Sequence, residues 1–305
     1  MTTARDTSKD VYRSRVDSRP SLTDRPDPVV WSDLNNPPPG PLTAEQLRTF
    51  DKNGFLWLEG LFNEDEVKKY QGELERMSND QTIRDRPTTV IELQSDEVRS
   101  IFEMHKQSEI FKEVVKDPRV SDAARQILGS DVYIHQARVN MKPAMSGGGF
   151  FWHSDFETWH TEDGMPRARA VSASVALTEN NEFNGPLMVI PGSHRTFVSC
   201  VGSTPDDNYK NSLRKQELGV PDAESMTKLV EKYGGITAPK GPAGSVLLFD
   251  CNIMHGSTEN ISPWPRSNVF FVFNSVENTL IEPYAGTRPR PEYIATHDFT
   301  PVSEL

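Results

Sequence analysis

Phe150-Phe151-Trp152-His153-Ser154-Asp155-Phe156-Glu157-Thr158-Trp159-His160 sets an imidazole and a carboxylate two residues apart among five aromatic rings. On an extended strand successive side chains point to opposite faces, so His153 and Asp155 project to the same side and can share one ion. A third donor must come from elsewhere. The best placed is His255 in Phe249-Asp250-Cys251-Asn252-Ile253-Met254-His255-Gly256-Ser257, just beyond the apolar run Gly244-Ser245-Val246-Leu247-Leu248-Phe249, which reads as a strand.

Two histidines and one carboxylate bound to one face leave open positions on iron(II), the arrangement of non-haem oxygenases. A lone His-x-Asp is common by chance, and its company decides the reading. Arg266 follows His255 closely and opens the strand-like Asn268-Val269-Phe270-Phe271-Val272-Phe273-Asn274. An arginine there can bind a carboxylate cosubstrate through two parallel hydrogen bonds, a geometry that lysine does not reproduce. A hydrolytic zinc site uses the same ligand types but needs no such arginine.

The chain's 305 residues suffice for one large domain. A hydrophobic share of 35% is modest and implies long polar loops around an ordinary core. A net charge of -11 and a pI near 5.2 argue against nucleic acid and anionic membrane partners, both of which need a basic footprint. No apolar run is long enough to span a bilayer, and the first residues have no signal-peptide core, so the expected compartment is the cytoplasm. Cys200 and Cys251 make neither a disulfide framework nor a Cys-x-x-Cys pair, and are expected to be buried.

Residues 1–42 are rich in charge, Ser, Thr and Pro, and are expected to form a partly extended N-terminal arm. Residues 43–305 form a single domain with an insertion at about 200–240. Thr43, with Gln46 three residues on, predicts a helix stopped near Asn53-Gly54, followed by the strand Phe55–Leu58. Val67, Tyr70, Leu74 and Met77 recur at helical spacing and predict a second helix over Asp65–Met77. The pattern from Val98 to Leu128 also reads as helical, with breaks at Pro118 and Gly129.

From Asp131 the character changes. Val132–Met141 alternates as a strand with Gln136, Arg138 and Asn140 on one face, either a solvated face or the lining of a polar pocket. Gly147-Gly148-Gly149 reads as a loop or hinge, Ala168–Leu177 and Leu187–Ile190 as further strands, and Ala223–Tyr233 as a helix within the insertion. Helices first and short strands after them predict an α+β chain with a mainly β core. Its architecture is a double-stranded β-helix, a cupin-like jelly roll, with N-terminal helices packed against it.

The run Phe151–Pro166 closely resembles the signature of ectoine hydroxylases, a branch of the phytanoyl-CoA dioxygenase-like iron(II)/2-oxoglutarate-dependent dioxygenases. Gly185–His194, Pro265–Asn278 and Pro289–Tyr293 resemble that family too, so the likeness covers most of residues 45–295. The resemblance implies that His153, Asp155 and His255 are the iron ligands and that Arg266 grips the distal carboxylate of 2-oxoglutarate. It places Arg138, Asn140, Phe150 and Ser172 around that cosubstrate, and Gln136, Thr158, Trp159, Phe273 and Arg290 around ectoine. It also implies O2 as second cosubstrate and a homodimer. Where the broader superfamily often has Arg-x-Ser, this chain has Arg266-Ser267-Asn268, which leaves the arginine in place.

Ectoine is a compact zwitterion carrying a delocalised amidinium and a carboxylate. Trp159 and Phe273 suit the cation through their ring faces, and Arg290 or the amide of Gln136 suits the anion. A sister dioxygenase acting on another small zwitterion, such as a free amino acid, would keep the iron and cosubstrate residues and use the pocket differently.

Overall fold

A computed structural model of the chain describes residues 10–92, 96–213 and 216–305. The first helix, α1 (Ala44–Asn53), begins as its sequence dictates. The Thr43 hydroxyl accepts from the Gln46 backbone N–H at 3.2 Å, and the Gln46 side-chain oxygen accepts from the Thr43 N–H at 2.8 Å. Gly54 closes it in the left-handed region at φ +78°.

Five more helices precede the long strands: α2 (Glu64–Asn79), α3 (Gln81–Arg84), α4 (Met104–Gln107), α5 (Glu109–Lys116) and α6 (Pro118–Leu128). α2 is longer than its apolar spacing predicts because Asn63 and Glu66 form a second reciprocal cap ahead of it. Pro118 occupies the first turn of α6 and Gly129 its C-cap, which accounts for both expected breaks.

The early strands are β1 (Ser21–Asp24), β2 (Phe55–Leu58), β3 (Thr89–Ile91), β4 (Val98–Phe102) and β5 (Val132–Lys142). β4 corrects the helical reading of Val98–Phe102. It pairs antiparallel with β5, Ile101 opposite Val139, and all five of its residues are buried. A strand covered on both faces shows no alternation, and here Arg99 and Ser100 are buried against Glu92 and Asn140 rather than facing water.

The second half supplies β6 (Phe150–His153), α7 (Asp155–Thr158), a π-turn at Trp159–Asp163, β7 (Ala170–Ala176), β8 (Leu187–Val189) and β9 (Thr196–Ser199). After them come α8 (Tyr209–Ser212), α9 (Ala223–Tyr233), β10 (Val246–Asp250), β11 (His255–Ser257) and β12 (Arg266–Ser275). Three antiparallel sheets result, ordered β2-β10-β7-β12-β5-β4-β3, β6-β11-β8 and β1-β9. The seven-stranded sheet buries one face under the N-terminal helices, where Leu47, Phe50, Val67, Phe111 and Val120 meet Val139, Val171, Phe271 and Phe273. Its other face meets the three-stranded sheet, with Leu247, Phe249 and Phe270 packed on Val189 and Ile253. Two facing sheets with helices outside are the predicted jelly roll, and the stretch expected as an insertion, with α8 and α9, lies between β9 and β10.

Of the expected N-terminal arm, residues 1–9 lie outside the described residues, and from Asp10 on the segment packs against the rest of the chain. β1 pairs with β9 from Ser21 opposite Ser199 to Asp24 opposite Thr196. Tyr12 is fully buried and its hydroxyl donates to Asp27 at 2.7 Å.

Candidate metal centre and substrate cavity

His153 ends β6 and His255 opens β11, and the two are direct partners across the antiparallel pair, with ring centroids 4.2 Å apart. Asp155 is not on the strand, as the alternation argument assumed. The strand stops at His153, Ser154 alone stays extended (φ -106°, ψ 127°), and Asp155 begins α7. That one extended residue is enough to return the carboxylate to the histidine side. Asp155 Oδ1 lies 3.5 Å from His153 Nε2 and Oδ2 lies 3.8 Å from His255 Nε2. The donor atoms of all three residues fall within 4.8 Å of one another, and all three residues are buried.

Both imidazoles are oriented by their own backbone. His153 Nδ1 meets the Phe151 carbonyl at 2.7 Å and His255 Nδ1 the Ile253 carbonyl at 3.1 Å. A donated Nδ1–H leaves each Nε2 as a bare acceptor aimed at the third ligand, as metal-binding histidines require. Burial is the strongest influence on Asp155 and opposes its ionisation. His255, His153 and Arg138 outweigh burial and hold the carboxyl well below its ordinary range. Burial and the neighbouring His153 push His255 down to about 4, so it is neutral and ready to ligate.

Opposite this cluster, one face of the large sheet is polar. Register places Lys142 opposite Arg266, Asn140 opposite Asn268, Arg138 opposite Phe270 and Gln136 opposite Val272, and on the far side Ser172 lies opposite Val272. The alternating face of β5 is therefore a pocket lining and not a solvated surface. Arg266 is 4% exposed, yet its Nε and Nη1 find no acceptor among the described residues. Burial alone pushes its guanidinium down to about 10. Arg138 Nε and Ser172 Oγ are likewise buried without a partner. Two desolvated cations with unused donors on one sheet face, of which Arg138 shares a cavity with His153 and Asp155, suit a dianion that chelates a metal and ends in a carboxylate.

A cavity on this face has a lining that includes Arg138, Asn140, Phe150, His153 and Asp155 as well as Gln136, Thr158, Trp159, Glu162 and Arg290. Trp159, on the π-turn, is 3% exposed. Gln136 donates Nε2 to the Ile294 carbonyl at 2.7 Å, and its Oε1 has no partner. What it has free is an acceptor, so it suits a substrate N–H and not the anion it was expected to meet. Arg290 spends Nε and Nη2 on Asp163, both at 2.6 Å.

Phe273 is not brought to the cavity. It has no exposed surface and lies in the helix-side core with Val269 and Phe271. The ladder slips here, Val272 pairing with Gln136 but Phe273 with Ile134, so His135 is an extra residue in β5. Such a bulge swaps the faces of β5 beyond it and turns Ile134 towards the core.

Lys142 was overlooked, although continuing the period of Gln136, Arg138 and Asn140 by two residues reaches it. It is 1% exposed, and its ammonium donates to the Gly148 carbonyl at 2.7 Å and the Thr258 carbonyl at 2.5 Å, holding the glycine loop against the chain after β11. Burial, Arg266 and Arg99 push it down to about 6. Arg99 sits 4.6 Å from the centroid of the Phe150 ring, fixing that ring at the cavity edge. Two other histidines are tied to the surrounding chain. His160 lies between the Met165 carbonyl (2.8 Å) and Asp10 (2.9 Å), and His194 contacts the Asp51 carbonyl at 3.0 Å. Cys200 and Cys251 are buried free thiols.

Comparison with known proteins extends this geometry. The family model for phytanoyl-CoA dioxygenase (PhyH) matches residues 50–268, a span holding the three candidate metal donors and Arg266. The chain belongs to the phytanoyl-CoA dioxygenase family. Within that family it is 53% identical over 302 residues to the ectoine dioxygenase of Streptomyces coelicolor, covering 99% of this chain and 100% of that one. It is 55% identical over 289 residues to the ectoine dioxygenase of Bordetella bronchiseptica, covering 95% and 93%. Among solved structures, apo EctD from S. alaskensis superposes with a TM-score of 0.86 at 46% identity, covering 96% of this chain and 97% of that one. The same EctD with 2-oxoglutarate and 5-hydroxyectoine gives 0.85 at 46% identity, covering 96% of each chain. These full-length matches establish the phytanoyl-CoA dioxygenase jelly roll here as an iron and 2-oxoglutarate dioxygenase fold.

Proposed function

We propose that this chain is an iron(II)- and 2-oxoglutarate-dependent dioxygenase that hydroxylates ectoine to 5-hydroxyectoine, releasing succinate and CO2. The observation that carries this reading is the buried cluster His153, Asp155 and His255 together with the buried Arg266, whose Nε and Nη1 have no acceptor among the described residues. Iron(II), when bound, supplies activation of O2 coupled to oxidative decarboxylation of 2-oxoglutarate. The protein's own residues do the rest.

His153, Asp155 and His255 would hold the metal, and the Nδ1 contacts of the two histidines keep their imidazoles from turning away. Arg266 takes the distal carboxylate of 2-oxoglutarate with its free Nε and Nη1, while Arg138, Asn140, Ser172 and Phe150 border the cosubstrate. Trp159 offers a ring face to the ectoine amidinium, Gln136 Oε1 accepts from its N–H, and Thr158 and the edge of Arg290 beyond Asp163 meet its polar groups. Phe273 supports that end from the core and makes no contact. The net charge of -11 supports a cytoplasmic protein without nucleic-acid or membrane partners, and no helix among the described residues is long and apolar enough to cross a membrane. A homodimer completes the proposal.

The test is an anaerobically iron-loaded sample given 2-oxoglutarate, ectoine and then O2, with succinate and hydroxylated product quantified together. Equal amounts support the reading. Succinate without 5-hydroxyectoine moves the substrate to another small zwitterion, and neither product removes the metal assignment.

A further inference from the structure

Arg15 enters the cavity wall from outside the jelly roll. It precedes β1, is 5% exposed, and its backbone sits in the left-handed region at φ +57°. A residue with a Cβ holds that conformation only when its surroundings fix it. Its N–H donates to the Cys200 carbonyl at 2.8 Å. Ser14 next to it accepts from the Cys200 N–H at 2.9 Å and donates to Glu157 at 2.5 Å.

The guanidinium is used on every side. Nε and Nη2 fork onto Glu157 at 2.9 and 2.6 Å, and Nη2 also reaches Thr158 Oγ1 at 3.2 Å. Nη1 meets Glu162 at 2.5 Å and Thr204 Oγ1 at 3.1 Å. From the insertion, Asn208 donates to the same Glu162 oxygen at 2.9 Å. Gly219, at φ +73°, lies so close that a Cβ there would stand 2.5 Å from Glu157 Oε2 and 2.7 Å from Arg15 Nη2.

These partners belong to two segments that border the cavity. Thr158, Trp159 and Glu162 follow the metal-donor Asp155, while Asn208, Ser212, Leu213 and Leu218 come from the insertion. We infer that Arg15 is a positioning residue for the hydroxylation. It fastens Glu157, Thr158 and Glu162 on one wall to the insertion at Thr204, Asn208 and Gly219 on the other, and so sets Thr158 and Trp159 against the substrate. The inference rests on reading this cavity as the substrate site. Lysine cannot take over, since one ammonium does not reproduce a fork on Glu157 and a third arm to Glu162. The Arg15 guanidinium is hydrogen-bonded to Glu157, Thr158, Glu162 and Thr204 and not to Arg266 or Arg138, so its effect falls on the substrate and spares the cosubstrate.

The experiment compares wild type with Arg15→Lys, Arg15→Ala and Glu157→Gln in iron-loaded protein, using ectoine and 2-oxoglutarate. It reads both KM values, the ratio of succinate to 5-hydroxyectoine, and hydrogen exchange of peptides covering 155–163 and 200–213 against peptides of β12. The expected result is an ectoine KM raised about tenfold or more with the 2-oxoglutarate KM nearly unchanged. Succinate should exceed hydroxylated product, and exchange should quicken in those two segments alone. A fall in kcat with both KM values and the product ratio unchanged overturns the inference, as does unaltered exchange. If Arg15→Ala fails to fold, Arg15→Lys and Glu157→Gln decide. If wild type itself makes no 5-hydroxyectoine, the substrate reading fails, and the exchange comparison still decides the fastening by Arg15.

Discussion

Arg290 and Asp163 hold each other in a bidentate pair, Nε to Oδ1 and Nη2 to Oδ2 both at 2.6 Å, with Asp163 wholly buried. Burial alone would raise the Asp163 carboxyl, and Arg290 with His135 reverses that and lowers it. Arg290→Ala leaves a buried carboxylate uncompensated and should cost about 3–5 kcal/mol, read by chemical denaturation. An unchanged midpoint would mean that water reaches Asp163 in the variant.

Arg266→Lys and Arg266→Ala should each raise the 2-oxoglutarate KM at least about tenfold, because one ammonium does not replace the two free guanidinium donors. Iron content and the ectoine KM should stay near wild type. Equal effects on both KM values would place Arg266 outside the cosubstrate site.

His153→Ala, Asp155→Ala and His255→Ala each remove one of three converging donors and should abolish turnover along with stoichiometric iron. Metal analysis after anaerobic loading checks this. Retained iron-dependent activity in any one variant takes that residue out of the ligand set.

Gly164 closes the π-turn at φ +76°, and a Cβ there would run into the Ile281 carbonyl oxygen, a backbone atom that cannot swing aside. Gly164→Ala should lose about 3 kcal/mol or more, since left-handed strain and a backbone clash add. A thermal midpoint equal to wild type would show that the Ile281 segment yields.

His105 and His194 are buried, and burial, the leading cause, pushes each down to about 4. Between that value and the ordinary histidine value near 6.5, the unfolded chain binds protons that the folded one does not. Stability is therefore lost as pH falls through this window and is fully present above it. Each histidine should contribute on the order of 1–3 kcal/mol to the loss. His194→Gln should flatten the dependence of the urea midpoint on pH, and an unchanged slope would show that His194 protonates in the fold.

Much of this was legible because local rules and the global fold agree. The Thr43–Gln46 cap, the Pro118 and Gly129 breaks and the Ala223–Tyr233 helix follow from neighbours in sequence. The candidate metal donors follow from a rule that holds only through Ser154, since the strand ends two residues short of Asp155. What escaped depends on distant partners. β4 is extended because β5 pairs with it, Phe273 faces the core because β12 alternates without a break along β7 and sets it on the side of Val269 and Phe271, and Arg15 is buried against Glu157 and Glu162 far along the chain. Lys142 alone was within reach of the alternation already in use.

The pairing of His153 with His255 across β6 and β11 has a bearing on biosynthesis. A ribosome delivers His153 and Asp155 long before His255, and at about 5–20 residues per second the interval is on the order of 5–20 seconds. During that time the nascent chain offers one imidazole and one carboxylate on an unpaired strand. Arg266 and β12, which closes the sheet opposite, emerge later still. The three candidate donors thus come together only after His255 has been made and β11 has paired with β6.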